Sequence, residues 1–547
     1  MSRSEGAPGS RAGSGAAPPV PVWWLSLLAH PLTLPAMVIG LLGARVLWHA
    51  LVSQLTLLED EAHYWEWSRR LDWSYYTKGP GVAWVIRAST ELFGVSEWAV
   101  RLPAAISGAL GMLGATAAAM WALPEHPDRR GLVVLSALLF ALVPGFAVAS
   151  MLMTIDGPYV ACWAWAGAFA CRALRTGSGR AWLGFGAAVG AGFLFKYTIL
   201  LLVPGVLLAA LVTRGHRPRL NIRAIAMASA LACLGLAPVL IWNTQNDWST
   251  VRHLLGHLGM RGGDMPVETD RASWTPLWLG EYALLQAVVC GPVLALAHLG
   301  WWRARRVGDD DLRAAFTTLA AMALPIFVFY GIVALRAQTE GNWAMAGTVT
   351  LIPIAAWAVL DGVRRRRTLT RVLWGAALLM GLLCLGVFPA LRPLSQRPNI
   401  GPAIPYYRLS GMREHAAAAQ AELDRIAAET GQRPFVMADH YGRASQLAFY
   451  LPGRPVVYCA SSRMGGRKTQ HDLWDETDLR NLQTLDALYG RPALLFGSGI
   501  DPWRPMFARV TDLGPLPGEP KPDARRTTEG ELFLGFAPVP NQAEPAP

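Results

Sequence analysis

Long apolar segments recur along the chain between residues 31 and 391, and short polar loops separate them. An α-helix of about 20 apolar residues can cross the hydrocarbon core of a bilayer, whereas membrane-spanning strands would alternate apolar and polar residues. The pattern therefore predicts an all-α polytopic membrane protein with about eleven transmembrane helices. The predicted spans are 31–57, 99–121, 131–150, 157–171, 181–195, 198–213, 224–242, 275–301, 314–335, 344–360 and 371–391.

The loops between these spans alternate in charge. One set is short and rich in arginine, and the positive-inside rule places it in the cytoplasm. The other set is then expected to lie outside, together with the chain after about residue 392, in a multi-pass plasma (inner) membrane protein whose N-terminus is cytoplasmic. The arginine-rich loops contain Arg129 and Arg130, Arg172 to Arg180, Arg214 to Arg223, Arg303 to Arg306 and Arg364 to Arg367; the outer loops are 58–98, 150–158, 193–198, 243–273 and 336–343.

Three regions are expected from these patterns. Residues 1–22 are rich in Gly, Ala, Ser and Pro and are predicted to be a disordered cytoplasmic tail. Residues 23–393 form the transmembrane domain, and residues 394–547 form an extracytoplasmic α/β domain. In this last region the composition predicts helices at 410–431 and 442–451, and short apolar runs predict strands at 433–440, 454–460, 491–499 and 531–539.

Composition agrees with a membrane protein, since 53% of the residues are hydrophobic and only 16% are charged. The formal charge of +11 could suggest a nucleic-acid partner, but the basic residues lie in the short loops between spans, so we expect none. The six cysteines show neither a disulfide framework nor paired metal-ligand spacing. We predict no metal site and no firm cofactor, and leave a divalent metal ion open.

The stretch LLEDEAHYWEWSRRLDWSYYTKGPG, residues 57–81, places three carboxylates directly after the first span. The spacing of Tyr64, Trp67 and Leu71 predicts an amphipathic helix lying at the membrane interface, and residues 81–94 predict a second one. Asp60 and Glu61 fall in the first turn of the first helix. Their charges either match the helix dipole or perform chemistry at the membrane surface, and this stretch alone does not decide between the two.

Three features of the outer loops favour chemistry. Asp156 is a further acid placed tightly against a span, and cations suited to phosphate occur on the same face. Aromatic and amide side chains, which stack on sugars and hydrogen-bond to them, are dense there. The catalytic candidates are Asp60, Glu61 and Asp156, and the candidate substrate-binding residues are Lys78, Arg336, His63, Tyr64, Tyr76, Glu340, Asn342 and Trp343.

Four other residues carry weaker signals. His253 and His257 have a spacing that metal ligands can use on a helix, but a polar helix face is the favoured interpretation. Arg45 lies within the first span and is expected to be structural. Lys196 stands between two short spans, where snorkelling to the interface and contact with substrate are equally compatible with the sequence.

The motif DEAHYWEWSRRLDWSYYTKGPGVAWVIR, followed by EWAVRLPAAISG, TIDGP, EGNWA and ADHYGRASQLAFYLPGRPVVYC, resembles glycosyltransferase family 39 over most of the chain. This family includes protein O-mannosyltransferases and lipid A aminoarabinose transferases. The resemblance implies a C-type glycosyltransferase fold and a polyprenyl-phosphate sugar donor used on the extracytoplasmic side. It also implies that Asp60 is the catalytic acid, Asp156 the second acid and Lys78 the donor-phosphate contact, whereas His63 stands where the aminoarabinose transferases have arginine.

These residues suit a single displacement, because phosphate is a good leaving group and the reaction needs only a base and positive charge. We expect Asp60 to be the base and Lys78 and Arg336 to hold the phosphate, while Glu61 and Asp156 position the sugar or the acceptor. The product would be inverted at the anomeric carbon, and the acceptor would be a lipid, a glycan or a protein. The alternative is a transporter or flippase for a lipid-linked or anionic solute.

Overall fold

The computed structural model describes residues 30–213, 220–257, 260, 262–264, 275–517 and 526–532 of the 547-residue chain. The predicted tail 1–22 and most of the last predicted strand, 533–539, lie outside these residues. The described part forms a helical bundle followed by a smaller α/β domain. The bundle helices are α1 Thr33–Leu47, α2 Glu59–Arg69, α3 Gly81–Phe93, α4 Glu97–Ala122, α5 Arg129–Leu142, α6 Pro144–Ala149, α7 Asp156–Thr176, α8 Gly179–Phe193, α9 Leu202–Val212, α10 Ile222–Gln245, α11 Ser249–His257, α12 Pro276–Cys290, α13 Val293–Ala304, α14 Asp310–Val333, α15 Gly347–Arg364 and α16 Thr368–Ser395.

Each predicted span coincides with a helix or a pair of helices. Within the described ranges, six helices are long and apolar enough to cross a membrane on their own, or seven if the bent pair α12–α13 counts as one span. These six are Thr33–Val52, Glu97–Ala122, Ile222–Gln245, Asp310–Val333, Gly347–Arg364 and Thr368–Ser395. The remaining predicted spans correspond to shorter or less apolar helices, so the total of eleven crossings stays a prediction.

The chain is bent or broken at two places among the predicted spans. The span 275–301 is divided into α12 and α13, which meet at an angle of 93° around Gly291 and Pro292. The chain also breaks at Lys196, which is extended, and then forms a 3₁₀ helix, Tyr197–Leu201, that leads into α9. This break lies between the two short predicted spans 181–195 and 198–213, and it places Lys196 directly before the 3₁₀ helix.

The helix predicted after the first span is present as α2, but it has no exposed polar face, so its prediction as an amphipathic surface helix is wrong. Every residue of α2 from Glu61 to Ser68 is buried. One side of the helix packs on α3 of the bundle and the other on a helix of the C-terminal domain. The spacing of the aromatic residues suggested one apolar face, but the polar face is covered by a domain that lies nearly 400 residues further along the chain.

The C-terminal domain contains helices α17 Met412–Thr430, α18 Tyr441–Tyr450 and α19 Leu482–Leu488 around a sheet. Its strands are β1 Phe435–Ala438, β2 Val457–Cys459, β3 Pro492–Gly497, β4 Phe507–Gly514 and β5 Arg526–Leu532, in the order β2-β1-β3-β5-β4. Strands β2, β1 and β3 are parallel, and β5 is antiparallel to both β3 and β4. Helices α17 and α18 and strands β1, β2 and β3 lie where the sequence predicted them.

The central strands were predictable because both of their faces are buried. All residues of β1 and β3 are buried, which gives the continuous apolar runs typical of parallel strands. Strand β4 was missed because most of its side chains are exposed or half-buried at the sheet edge, so it has no apolar run. The start of β5, which precedes the predicted range 531–539, was missed because its sequence RTTEG contains no apolar run.

The α/β domain is joined directly to the bundle around α2. The Tyr450 hydroxyl accepts a hydrogen bond from the Leu57 amide over 2.8 Å, and the Gln446 side chain donates to the Leu57 carbonyl over 2.8 Å. At the other end of α2, Arg70 pairs with Glu476. The domain therefore forms part of the wall around the first outer loop.

Candidate functional site

A cavity of about 430 Å³ lies between the bundle and the C-terminal domain. Its wall brings together side chains from the first outer loop, from the loop before α7, from α11, from the turn before α15 and from the C-terminal domain. Nine of the eleven candidate residues line it: Asp60, His63, Tyr64, Tyr76, Lys78, Asp156, Glu340, Asn342 and Trp343. Residues separated by almost 300 positions in the sequence thus face one space.

Asp60 opens onto this cavity from the first turn of α2. Its Oδ1 accepts a hydrogen bond from the hydroxyl of Tyr441, in the C-terminal domain, over 3.1 Å. The carboxylate is accessible from the cavity but deeply surrounded by protein. Burial raises the pKa of the Asp60 carboxyl; the Tyr441 hydrogen bond opposes that rise, as do the charges of Lys78 and Arg467. A carboxylate with a raised pKa is a stronger base than a solvated one.

Lys78 supplies a cation to the same cavity. No described residue forms an ion pair or a hydrogen bond with its ammonium group. Burial lowers the pKa of Lys78 to about 8, with a contribution from the neighbouring charge of Lys196, while Asp156 and Asp60 oppose the change. A buried ammonium without a fixed counter-charge is suited to receive an anionic group of a ligand.

The loop that carries Lys78 is held by close backbone contact. The Gly81 amide donates to the Leu194 carbonyl over 2.9 Å. A Cβ on Gly79 would lie 2.4 Å from the oxygen of that same carbonyl, so this position needs glycine. The Gly-Pro-Gly sequence therefore fixes Lys78 beside the chain break at Lys196.

Asp156 has less freedom than Asp60, because both of its oxygens already have partners. Lys196 Nζ donates to Oδ1 over 2.9 Å, and the Asn342 amide donates to Oδ2 over 2.7 Å. Asp156 also begins α7, where a negative charge is stabilised by the helix dipole. Asp156 thus joins the start of α7 to the chain break at Lys196 and to the turn before α15. Lys196, for which the sequence left two interpretations open, lines the cavity as the partner of Asp156.

Glu61 does not line the cavity, and the geometry does not support the catalytic role predicted for it. The carboxylate is completely buried and receives two hydrogen bonds from Arg101 of α4, over 2.8 and 2.6 Å. The Leu58 and Met153 amides donate to it over 3.0 and 2.8 Å. All of its acceptor capacity is used inside the protein, so Glu61 holds the first outer loop against the bundle.

Arg336 is likewise outside the cavity. It follows α14 in a turn, and its amide donates to the Val333 carbonyl over 2.8 Å. Its side chain is exposed and does not line the cavity wall. The chain returns to the cavity only at Glu340, four residues later, so the geometry does not support the predicted phosphate contact at Arg336.

His63 and Tyr76 line the cavity, but their side chains also form hydrogen bonds with other protein groups. The His63 Nδ1 lies 2.9 Å from the Ser445 hydroxyl, and Trp67 donates its indole N–H to His63 Nε2 over 3.1 Å. Burial lowers the pKa of His63 well below its ordinary value, so the ring is neutral. The Tyr76 hydroxyl bonds to Asp264. Both residues shape the wall, and the ring nitrogens of His63 are not free for substrate.

One group of described residues has the composition of a metal site. Ligand atoms of His63, Glu66 and His471 lie within 4.8 Å of one another, and all three side chains are buried. However, both nitrogens of His63 already have partners, and Ser445 donates to Glu66 over 2.7 Å. Among the described residues, the ring nitrogens of His471 have no hydrogen-bond partner, and its Nε2 lies 3.5 Å from the Glu66 carboxylate. Because both nitrogens of His63 are occupied, only two of the three groups could bind an ion, and we propose no metal there.

His253 and His257 do not form the polar helix face that the sequence suggested. Both line the cavity, and their Nε2 atoms lie 3.1 Å apart. His253 is buried and its Nδ1 lies 3.8 Å from Asp264. Burial lowers the pKa of His257 to about 4, helped by the neighbouring His253, so the pair is neutral at pH 7. The pair therefore contributes uncharged polar groups to the cavity wall.

The residues that sequence reasoning missed come from the C-terminal domain. Tyr441, Arg467, Lys468, Thr469 and Gln470 all line the cavity. Tyr441 follows the segment ADH within a motif that carried the family resemblance, so that motif was an available signal. No such signal marked Arg467 and Lys468, which lie in a loop without a regular pattern.

Part of the chain matches a known protein family. Residues 77–242 match the family model described as dolichyl-phosphate-mannose-protein mannosyltransferase. The matched segment contains Lys78, Asp156 and Lys196. The family resemblance read from the sequence is confirmed.

Two curated proteins are also similar to the chain. The lipid A galacturonosyltransferase RgtD of Rhizobium johnstonii is 30% identical over 350 residues, which are 61% of this chain and 65% of the relative. The undecaprenyl phosphate-alpha-4-amino-4-deoxy-L-arabinose arabinosyl transferase 1 of Sodalis glossinidius is 27% identical over 336 residues, which are 56% of this chain and 54% of the relative. The chain thus matches less than two thirds of the length of either relative.

Solved structures share the fold over nearly the whole chain. ArnT from Cupriavidus metallidurans bound to undecaprenyl phosphate superposes with a TM-score of 0.61 at 16% identity, covering 93% of this chain and 99% of that one. The apo form of ArnT gives a TM-score of 0.58 at 17% identity, covering 90% and 97%. This likeness and the six membrane-length helices identify the chain as a membrane protein of the ArnT fold.

Proposed function

We propose that this protein is a membrane glycosyltransferase that moves a sugar from a polyprenyl-phosphate donor to a hydroxyl group of an acceptor. The observation that carries the proposal is that Asp60 and the unpaired cation of Lys78 face one cavity. A base and a phosphate-binding cation are the two groups that the transfer requires. The match of residues 77–242 to a mannosyltransferase family, and the two similar curated transferases, support the same reaction class.

The proposed reaction is a single displacement. The acceptor oxygen attacks the anomeric carbon while the bond from that carbon to the phosphate oxygen breaks, and the electron pair leaves with the phosphate. The acceptor proton passes to the Asp60 carboxylate. Lys78 offsets the second negative charge that develops on the polyprenyl phosphate. Attack from the side opposite to the leaving group gives inversion at the anomeric carbon.

Asp156 has a positioning role in this proposal. Its carboxylate holds Lys196 and Asn342 in the cavity wall, at 2.9 and 2.7 Å. Lys196 is neutralised by this pair, which leaves Lys78 as the principal bundle cation for the donor. Glu340 and Trp343 line the same side and offer the hydrogen bonding and stacking that a sugar ring requires.

The substrates follow from the chemistry and from the similar proteins. The prenyl chain would remain in the lipid while the sugar phosphate enters the cavity, which we place on the extracytoplasmic face by the charge of the loops. One of the two curated relatives is named a lipid A galacturonosyltransferase, and the name of the other contains undecaprenyl phosphate-alpha-4-amino-4-deoxy-L-arabinose. We therefore propose a polyprenyl-phosphate sugar as donor and a glycolipid of the lipid A type as acceptor.

A transfer assay separates this function from transport of a lipid-linked solute. The full chain is reconstituted into liposomes with radiolabelled undecaprenyl-phosphate sugars and lipid A. We expect label to appear in the lipid A fraction with inverted anomeric configuration, and undecaprenyl phosphate to be released in equal amount. Label that crosses the bilayer while it remains attached to undecaprenyl phosphate would contradict the proposal and favour transport.

A further inference from the structure

The cavity has more cationic side chains without an ion-pair partner than a polyprenyl-phosphate sugar requires. Four cations line it, and of these only Lys196 is neutralised by a carboxylate, Asp156. A polyprenyl-phosphate sugar is a phosphodiester with one negative charge, which Lys78 can balance alone. Arg467 and Lys468 remain. In the part of the chain that the structure describes, neither side chain forms an ion pair or a hydrogen bond.

Their loop is built to hold these two cations in place. Gly465 has a φ of +79°, and the Gly466 amide donates to the Ser461 carbonyl over 2.9 Å. After the two cations, the Thr469 amide donates to the Asp472 carboxylate over 2.7 Å. The loop is therefore fixed on both sides of Arg467 and Lys468, so ordering these side chains on binding costs less than it would on a free loop.

The same loop is attached to the segment that carries Lys78. The Tyr76 amide donates to the Gln470 side chain over 2.7 Å, and this contact is buried. Lys468 Nζ lies 5.8 Å from the centre of the Tyr76 ring, and the Arg467 guanidinium lies 4.9 Å from the centre of the Tyr441 ring. The two cations thus line the same cavity as Lys78 but are held by the C-terminal domain, and Arg467 lies beside the tyrosine that bonds to Asp60.

We infer that Arg467 and Lys468 form a second anion subsite, which binds an anionic group of the acceptor next to the hydroxyl that receives the sugar. This inference rests on the proposed function and specifies its acceptor: a phosphorylated or otherwise anionic glycolipid. The donor phosphate enters with its prenyl tail among the bundle helices and meets Lys78. The acceptor approaches the other wall, where guanidinium and ammonium groups form strong, charge-assisted hydrogen bonds to phosphate.

The test compares two acceptors and two double variants of the full chain in nanodiscs. The acceptors are bisphosphorylated lipid A and the same lipid after enzymatic dephosphorylation. The variants are Arg467→Gln/Lys468→Gln and the control Arg433→Gln/Arg509→Gln, which removes two exposed charges from the same domain. Binding of each lipid is measured without donor, and the KM values for donor and acceptor are measured separately.

In the wild type we expect tighter binding of the phosphorylated lipid. Arg467→Gln/Lys468→Gln should weaken this binding about ten- to a hundredfold, as expected for the loss of charged hydrogen bonds, and should raise the acceptor KM while the donor KM stays within about twofold. The control should match the wild type. Equal binding of both lipids by the wild type, or a loss confined to the donor KM, would overturn the inference. If the wild type bound the phosphorylated lipid selectively but transferred no sugar to it, the proposed function would be rejected while the anion subsite would stand.

Discussion

Asp60 and Glu61 are neighbours in the sequence but occupy opposite environments. Asp60 opens onto the cavity beside Tyr441, whereas Glu61 is completely buried and bonded to Arg101. Two carboxylates that look equivalent in the sequence therefore have different consequences when they are removed: one should affect the reaction, and the other should affect the stability of the fold.

Removal of the Glu61 charge should destabilise the protein. Glu61→Gln leaves the guanidinium of Arg101 buried without a counter-charge, which typically costs about 3–5 kcal/mol. We expect a clearly lower Tm in detergent for this variant. A Tm equal to that of the wild type would contradict the structural role that the ion pair indicates.

The Asp156–Lys196 pair offers a test of positioning through two variants. Asp156→Asn leaves Lys196 unpaired in a largely buried site, and we expect a loss of about 3 kcal/mol in the free energy of unfolding. The second change Lys196→Met removes the stranded charge and should restore most of the Tm. If the double variant remained as unstable as Asp156→Asn, the ion pair would not be the cause of the loss.

The alkaline limb of the pH profile should report Lys78. Its pKa is lowered to about 8, so the cation is present below that pH and is lost as the pH rises through it. We expect kcat/KM for the donor, which reflects the free enzyme, to fall above about pH 8. Lys78→Arg should move this decline beyond the measured range, because arginine stays protonated. The same alkaline limb in both proteins would exclude Lys78 as its origin.

The hydrogen bonds through Ser445 should matter for stability more than for substrate binding. Ser445 is completely buried and connects His63 and Glu66 of α2 with the C-terminal domain, over 2.9 and 2.7 Å. Ser445→Ala leaves two buried polar groups without this partner, at a cost of about 1–3 kcal/mol. We expect a lower Tm with a donor KM close to the wild-type value. An altered donor KM at constant Tm would instead place His63 in contact with the substrate.

The sequence predicted much of the bundle and part of the site because these depend on local patterns. Apolar length located the helices, and charge alternation collected Asp60, Lys78 and Asp156 on one face. The pattern could not distinguish Asp60 from Glu61, since their difference arises from Arg101, 40 residues away. The pattern also predicted a phosphate contact at Arg336, because this residue falls in one of the predicted outer loops. In the structure the Arg336 side chain is exposed and does not line the cavity.

The remaining parts of the site depend on packing between distant segments. Arg467 and Lys468 reach the cavity because Gln470 bonds to Tyr76, which lies 394 residues earlier in the chain. No periodicity within either segment encodes that contact. The burial of α2 has the same origin, because the face that appeared polar is covered by α18. An edge strand such as β4 lacks the apolar run that would have revealed it.

The most direct measurement is the turnover of Asp60→Asn in the full, reconstituted chain with a polyprenyl-phosphate sugar and an acceptor. We expect kcat to fall about 10²- to 10⁴-fold, as is typical for the loss of a general base, with an unchanged Tm and little change in donor KM. Glu59→Gln, which removes the adjacent carboxylate, is the matched control and should retain wild-type turnover. Near-wild-type turnover in Asp60→Asn would contradict the role of Asp60 as the base.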